Sequence, residues 1–174
     1  MKTKIIAIVG NSGVGKTYMA NHLEEEYGIP MIESRTTRPP RHKCEKGHTF
    51  VTDAEFDTYE KDWMIAYTKF GDNRYCCLHS DIVAPVSTYV IDEFGLKYLR
   101  DNFSDLYDIF AVRLFMSDTN KHKTLVSEER MLRDEGKFTM GIEEFDYFID
   151  TSLFEANERK YMKMLIRMYQ HFDK

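Results

Sequence analysis

The sequence has few cysteines and no long apolar run, and both absences exclude whole classes of protein. Three cysteines among 174 residues show no paired spacing, which is typical of a reduced cytoplasmic protein and not of a disulfide-rich secreted one. No apolar stretch approaches the roughly 18 residues of a membrane span, so we expect no membrane partner. The apolar segment 5–9 is also too short for the core of a signal peptide. We therefore expect a cytoplasmic globular chain.

The chain also lacks an excess of positive charge. It carries 24 basic and 29 acidic residues, for a net charge of −5, which argues against a nucleic-acid partner. The exception is the segment 35–46, which has five basic residues and one acidic residue. One basic segment on an acidic chain favours a local site for a small polyanion. A solvated loop or a nucleic-acid contact is the alternative.

Apolar strand-like segments alternate with helical patterns along most of the chain. Strands are predicted at 5–9, 31–34, 64–70, 74–78, 88–91, 108–115 and 147–149. Helices are predicted at 16–27, 53–62, 121–135 and 153–172, and one more ends near Phe103. This alternation predicts an α/β fold, in which a parallel sheet is flanked by helices and a mixed segment is inserted near residues 35–80.

Eight consecutive residues match the P-loop pattern G-x-x-x-x-G-K-[ST] in full: Gly10, Asn11, Ser12, Gly13, Val14, Gly15, Lys16 and Thr17. They lie between a predicted strand and a predicted helix, which is the context that the pattern requires. The glycines let backbone N–H groups surround a phosphate at the positive end of the helix. Lys16 is expected to reach the β and γ phosphates, and the Thr17 hydroxyl to bind Mg²⁺. The segment therefore predicts binding of a nucleoside triphosphate with Mg²⁺ by residues 11–17.

A carboxylate follows the predicted strand 88–91. Asp92 is placed where a residue that orients the Mg²⁺ water shell is expected, although it could instead cap the helix that follows. The segment 92–95 also fits the D-x-x-G pattern of small GTPases. The segment Asn120-Lys121-His122-Lys123, however, lacks the final carboxylate that N-K-x-D requires to accept hydrogen bonds from guanine, and a missing buried acceptor is costly.

Two arginines in the basic segment have a spacing that suits one phosphate. Arg38 and Arg41 lie three residues apart in a segment stiffened by Pro39 and Pro40. Their planar guanidinium groups present forked donors that bind a phosphate in a bidentate way. This spacing predicts that the basic segment binds one phosphate, in addition to the phosphates at the P-loop.

These segments together resemble the guanylate kinase family. Residues 34–41 (SRTTRPPR) and 47–50 (GHTF) are similar to the family's S-x-T-T-R-x-P-R and G-x-D-Y-x-F. Residues 73–75 (NRY), 91–95 (IDEFG) and 144–149 (EFDYFI) are similar to its N-Y-Y-G-[ST], I-D-x-x-G and F-D-Y-x-I. The resemblance covers roughly residues 5–100 and 144–170.

The resemblance implies one kinase domain over residues 1–174. Its parts would be a core (1–33, 81–116 and 143–174), a nucleoside-monophosphate lobe (34–80) and a lid (117–142). The implied reaction transfers the γ-phosphoryl group of ATP to GMP or dGMP, in a monomer or weak homodimer. The implied acceptor-binding residues are Ser34, Arg38, Arg41, His48, Tyr75, Cys77 and Asp92. Arg130 and Arg133 are candidate lid arginines that act with Lys16 and Arg38 in catalysis, or else they form ion pairs on a surface helix.

The chain departs from the family where the base would be read. The glutamate that the family has nine residues before its second tyrosine aligns with Ala66, and Cys77 replaces a hydroxyl residue by a weaker thiol. The acceptor therefore stays open between a guanine nucleotide and another nucleoside or deoxynucleoside monophosphate. A catalytically silent guanylate-kinase-like binding module is the third alternative, although the intact Lys16 and Thr17 argue against it.

Overall fold

The computed structural model describes residues 2–117, residues 139–153 and Lys163. Its strands and helices follow in the order β1 (Thr3–Val9), α1 (Lys16–Tyr27), β2 (Ser34–Thr36), β3 (His48–Phe50), α2 (Asp53–Phe56), β4 (Met64–Phe70), β5 (Asn73–Leu78), β6 (Val86–Val90), α3 (Glu93–Phe103), β7 (Tyr107–Phe115) and β8 (Tyr147–Asp150). The strands form two sheets with the orders β6-β1-β7-β8 and β3-β2-β5-β4.

The first sheet is parallel throughout and forms the centre of the fold. β1 pairs with β6 on one side and with β7 on the other, and β8 continues the sheet beyond β7. Residues Ile5 to Val9 are at most 1% exposed, as expected for a strand that is covered on both faces. The prediction of a parallel sheet flanked by helices is confirmed.

The two faces of β1 contact different helices, because successive side chains of a strand point to opposite faces. The odd-numbered residues from Ile5 to Val9 share a hydrophobic core with Leu99 of α3. The even-numbered residues share another core with Leu23 of α1. The carboxyl end of β1 is therefore held from both sides at the point where the P-loop begins.

Helix α1 has the predicted bounds, and a glycine lies at each end. Gly15 and Gly28 both have left-handed backbone angles, with φ of 89° and 66°. The Gly28 N–H donates to the carbonyl of Glu24 at 3.0 Å, which ends the helix at a residue that adopts this conformation without a Cβ clash. Because the helix begins directly after Gly15, Lys16 and Thr17 lie in its first turn.

The second sheet lies within residues 34–78 and is built on a hairpin of the two strands predicted at 64–70 and 74–78. β4 and β5 pair antiparallel across a turn in which Gly71 has a φ of 60°. β2 pairs antiparallel with β5, and the unpredicted strand β3 lies parallel to β2. The prediction of a strand over 31–34 is wrong in its bounds, because β2 begins only at Ser34 and Met31 forms an isolated bridge to Thr88.

The predicted helix 53–62 is much shorter than the pattern indicates. Only Asp53–Phe56 is α-helical, and Glu60 has an extended backbone with a ψ of 135°. Phe56 and Tyr59 nevertheless contact each other, with 5.8 Å between their ring centroids. A turn thus brings Phe56 and Tyr59 together, and a helix that extends beyond Phe56 is not needed for this contact.

The predicted helix 121–135 lies outside the described residues, and so does nearly all of the predicted helix 153–172. Within the described part of the chain, no helix combines the length and the apolar character that crossing a membrane requires.

Candidate active site

The P-loop connects β1 to α1, and its conformation depends on glycine. Gly10, Gly13 and Gly15 have φ angles of 155°, 78° and 89°, which favour a residue without a Cβ. The Lys16 side chain bends back over the loop, and its Nζ donates to the carbonyl oxygens of Gly10 and Asn11 at 2.7 Å each. The ammonium group is therefore held by the backbone of the loop in which the sequence predicts a bound phosphate.

A cavity of about 720 Å³ joins the P-loop to the basic segment. From the P-loop and the first turn of α1 it is lined by Ser12, Gly13, Gly15, Lys16 and Thr17. From the opposite side it is lined by Arg41, Glu45, Lys46, His48, Tyr75 and Asp92, among others. The two segments that the sequence predicts to bind phosphate thus face one cavity, which is the arrangement that transfer between two bound nucleotides requires.

A carboxylate lies between the two predicted phosphate-binding arginines. Arg38 donates to Glu45 from both ends of its guanidinium fork, Nη2 to Oε1 at 2.8 Å and Nη1 to Oε2 at 3.3 Å. The backbone N–H of Arg41 donates to Oε2 at 2.7 Å. Burial alone would raise the pKa of Glu45, but these hydrogen bonds and charges lower it to about 2. Glu45 is therefore ionised at every ordinary pH.

His48 forms a hydrogen-bonded pair with Ser34 beside the same cavity. The Ser34 hydroxyl and His48 Nδ1 are 2.8 Å apart, and the ring of Tyr75 lies edge-on to His48 at 5.9 Å. Burial lowers the pKa of His48, and the positive charge of Arg38 lowers it further. The imidazole is therefore neutral near pH 7, and it offers a single N–H donor to a ligand instead of a positive charge.

Asp92 lines the cavity and also caps α3, so the capping alternative is present in the structure. Its Oδ1 accepts from the backbone N–H of Gly95 at 2.7 Å and from the Thr68 hydroxyl at 3.1 Å. Burial raises the pKa of Asp92. Thr17 and Asp92 are the predicted metal ligands, and both face the cavity with oxygen donors, which is the chemistry that Mg²⁺ prefers. Within the described residues no group of three or more His, Cys, Asp or Glu side chains is placed to hold a metal.

No protein-family model and no curated protein matches the sequence. Among solved structures, the crystal structure of guanylate kinase from Anaplasma phagocytophilum matches this chain with a TM-score of 0.66. The match covers 97% of this chain and 87% of that chain, at 20% sequence identity. The fold is that of guanylate kinase. The resemblance that the sequence motifs predict is therefore confirmed at the level of the fold.

In this guanylate kinase-like fold a second cavity, of about 70 Å³, adjoins the larger one. It shares His48, Tyr75 and Asp92 with the larger cavity, and is otherwise lined by Ser34, Ala66, Tyr67, Thr68, Tyr89, Val90 and Ile91. Ala66 pairs with Cys77 across the hairpin of β4 and β5. The position at which the resemblance implies a base-reading glutamate thus offers only a methyl group. Thr68 and Asp92, which are among the polar residues that line the same cavity, bond each other.

Four residues from the predicted site lie away from these cavities. Arg38, Cys77, Asn11 and Val14 are outside the described linings of both. Cys77 is fully buried, burial raises the pKa of its thiol, and its Sγ donates to the carbonyl of Leu78 at 3.6 Å. Val14 packs in the core beside α1.

The candidate lid arginines, Arg130 and Arg133, lie outside the described residues. Glu45 and Thr68 are among the lining residues that were not singled out from the sequence. Glu45 had a signal, because it is the one acidic residue in the basic segment 35–46. Thr68 had none, since its partner Asp92 is 24 residues away and only the tertiary structure brings them together.

Proposed function

We propose that the chain is an ATP-dependent nucleoside monophosphate kinase, which transfers the γ-phosphoryl group of ATP to GMP or dGMP. One observation carries the proposal: the P-loop faces a single cavity of about 720 Å³ together with four of the implied acceptor-binding residues, Arg41, His48, Tyr75 and Asp92. The guanylate kinase-like fold supports the same reaction class. A binding module without catalysis would not need Lys16 and Thr17 in the wall of that cavity.

The proposed mechanism rests on positioning and on charge. The P-loop N–H groups and Lys16 hold the donor phosphates, while Arg41, His48 and Tyr75 hold the acceptor phosphate on the opposite wall. An oxygen of the acceptor phosphate attacks the γ-phosphorus, the bond to the β–γ bridging oxygen breaks, and ADP leaves. No protein side chain acts as a nucleophile, because phosphoryl transfer is promoted mainly by alignment and by neutralising the charge on the transferred group.

Mg²⁺ is the proposed cofactor, bound together with ATP. Thr17 and Asp92 would hold it, with the hydroxyl as a direct ligand and the carboxylate orienting its water shell. Asp92 Oδ1 already accepts from Gly95 and Thr68, so its role would be shared with capping α3. Mg²⁺ usually takes only one or two protein oxygens beside phosphates and waters, which fits this small donor set. When bound, the ion would neutralise charge on the β and γ phosphates.

The base of the acceptor would enter the smaller cavity beside Ala66. Guanine presents N–H donors, and Ala66 supplies no acceptor for them. Another nucleoside or deoxynucleoside monophosphate is therefore the second candidate acceptor, and Ala66 is the observation that favours it. In either case we propose a cytoplasmic enzyme that acts as a monomer or weak homodimer.

Turnover of the whole chain with a panel of acceptors tests the proposal. ADP release should depend on both ATP with Mg²⁺ and a nucleoside monophosphate. Lys16→Ala should lower kcat by about 100-fold or more, because a donor aimed at the transferring charge contributes that much. Lys97→Ala is the matched control, since Lys97 lies exposed on α3 and its loss should leave turnover unchanged. Absence of acceptor-dependent ADP release with every monophosphate would refute the kinase proposal.

A further inference from the structure

Glu45 occupies the guanidinium fork of Arg38, one of the two arginines that the resemblance implies for the acceptor phosphate. Its two carboxylate oxygens accept from both ends of the Arg38 guanidinium and from the backbone N–H of Arg41. A forked guanidinium together with a backbone N–H is also a donor set that binds phosphate. The Glu45 side chain is only 9% exposed, so this contact is built into the fold and is not a loose surface pair.

Glu45 lines the larger cavity, whereas its partner Arg38 does not. Glu45 and Arg41 belong to the cavity lining, whereas Arg38 is absent from the described lining and is 9% exposed. The Arg38 Nε is buried and has no hydrogen-bond partner in the described part of the chain. A phosphate that enters the cavity therefore meets Arg41 first, and it reaches the Arg38 fork only after Glu45 has moved.

The backbone around Glu45 is suited to such a movement. Cys44 is the one non-glycine residue in the described chain with a positive φ, at 64°, and Gly47 has a φ of 85°. A cysteine in the left-handed region is strained, because its Cβ approaches the following carbonyl oxygen. This strained residue directly precedes Glu45 in the conformation that places Glu45 against Arg38.

We propose that Glu45 is an internal competitor for the acceptor phosphate, which must be displaced from Arg38 before the monophosphate binds productively. The inference rests on the proposed kinase function, because it concerns the acceptor half of that site. A ligand that carries a dianionic phosphate replaces one carboxylate and regains the arginine contacts. An uncharged nucleoside carries no anion that could replace Glu45 at the Arg38 guanidinium, so productive binding requires the phosphate.

The effect of Glu45 on acceptor affinity follows from the fraction of molecules in which Glu45 has left the Arg38 guanidinium. When only a fraction of the protein is competent to bind, the apparent dissociation constant rises by the inverse of that fraction. If Glu45 leaves the fork free in about one molecule in ten, its removal tightens acceptor binding about tenfold. The KM for the acceptor should fall by this factor, while the KM for ATP should not change.

Calorimetric titration with inorganic phosphate tests the inference without requiring turnover. All proteins carry Lys16→Ala, which weakens the P-loop as a rival phosphate site. Glu45→Gln and Glu45→Ala should each bind phosphate about tenfold more tightly than the parent. Glu25→Gln removes the same charge at an exposed position of α1 and should match the parent. Thermal melting of each variant shows whether it is folded. Because two different substitutions remove the Glu45 charge, one of them still tests the inference if the other fails to fold.

Two results would overturn the inference. Weaker phosphate binding in both Glu45 variants would mean that Glu45 holds the arginines in place for phosphate. Unchanged binding would mean that phosphate does not use the Arg38 fork. The kinase proposal fails separately: if Glu45→Gln tightens phosphate binding but no monophosphate supports ADP release in the protein with Lys16 intact, then the anion site is real and the proposed reaction is wrong.

Discussion

The first glycine of the P-loop is packed against β7 of the parallel sheet, so we expect Gly10→Ala to destabilise the protein more than Gly71→Ala does. A Cβ at position 10 would lie 2.3 Å from the carbonyl oxygen of Leu114 and 2.9 Å from Cγ2 of Val14. Leu114 pairs with Ile149 between β7 and β8. The oxygen therefore belongs to backbone that is fixed by the sheet and does not swing away like the end of a side chain.

The magnitude follows from two separate costs. Carbon and oxygen atoms in close contact lie about 3.3 Å or more apart, so the loop and β7 would have to separate by about 1 Å. Forced overpacking of this kind costs about 1–3 kcal/mol. The φ of 155° at Gly10 adds about 1–3 kcal/mol for a residue with a Cβ. A total of about 4 kcal/mol corresponds to a fall in Tm of roughly 8–16 °C for a chain of this length.

Gly71→Ala is the matched control for this prediction. Gly71 also has a positive φ, at 60°, but nothing lies within 4 Å of a Cβ built on it. Only the backbone cost applies there, which is about 1–2 kcal/mol, or roughly 2–8 °C. Thermal melting and urea denaturation of both variants measure the difference. Equal destabilisation by the two substitutions would refute the packing argument and leave only the backbone angle as the reason for glycine at position 10.

Two further predictions concern the base cavity and acid stability. Ala66→Glu should increase the preference for GMP over adenine and thymidine monophosphates by about tenfold in kcat/KM, because a paired hydrogen-bond acceptor contributes on the order of 1–2 kcal/mol. Ala66→Leu is the control, because it fills the same space without an acceptor. If Ala66→Glu lowers kcat/KM equally with every monophosphate, position 66 does not read the base. Burial alone would raise the pKa of Asp150, but hydrogen bonds from Ser117 and Ser152 lower it to about 2. Its unfolded value is near 3.9, so its stabilisation is present above about pH 4 and is lost as the pH falls toward 2. Asp150→Asn should therefore lose less stability than the wild type between pH 5 and 3 in urea denaturation, and an identical loss would contradict the assignment.

Local sequence patterns determined much of the fold and the P-loop side of the candidate site. The bounds of α1 follow from Gly15 and Gly28, because backbone angles that favour glycine are a property of single residues. The hairpin of β4 and β5 follows from the turn residues Gly71, Asp72 and Asn73 between two strand-like segments. The P-loop is also local, since eight consecutive residues carry its chemistry and the flanking strand and helix are apparent from their own patterns.

Short elements with weak patterns were not determined in this way. β3 has three residues and exists because β2 lies beside it, so its pairing partner and not its composition makes it a strand. The helix predicted over 53–62 ends at Phe56, although Phe56 and Tyr59 still contact each other. The strand β3 depends on a neighbour that no local window of sequence contains.

Only the tertiary structure decided what the candidate site residues contact. The sequence placed Arg38 and Arg41 in one basic segment, but the hydrogen bonds to Glu45 depend on how that segment folds back on itself. It offered two roles for Asp92. The capping contact with Gly95 is local, whereas the bond from Thr68 arises only where α3 meets β4. The sequence gives the chemical type of each residue directly. The long-range partners, burial and charge state of that residue depend on the packing of segments that are distant in sequence.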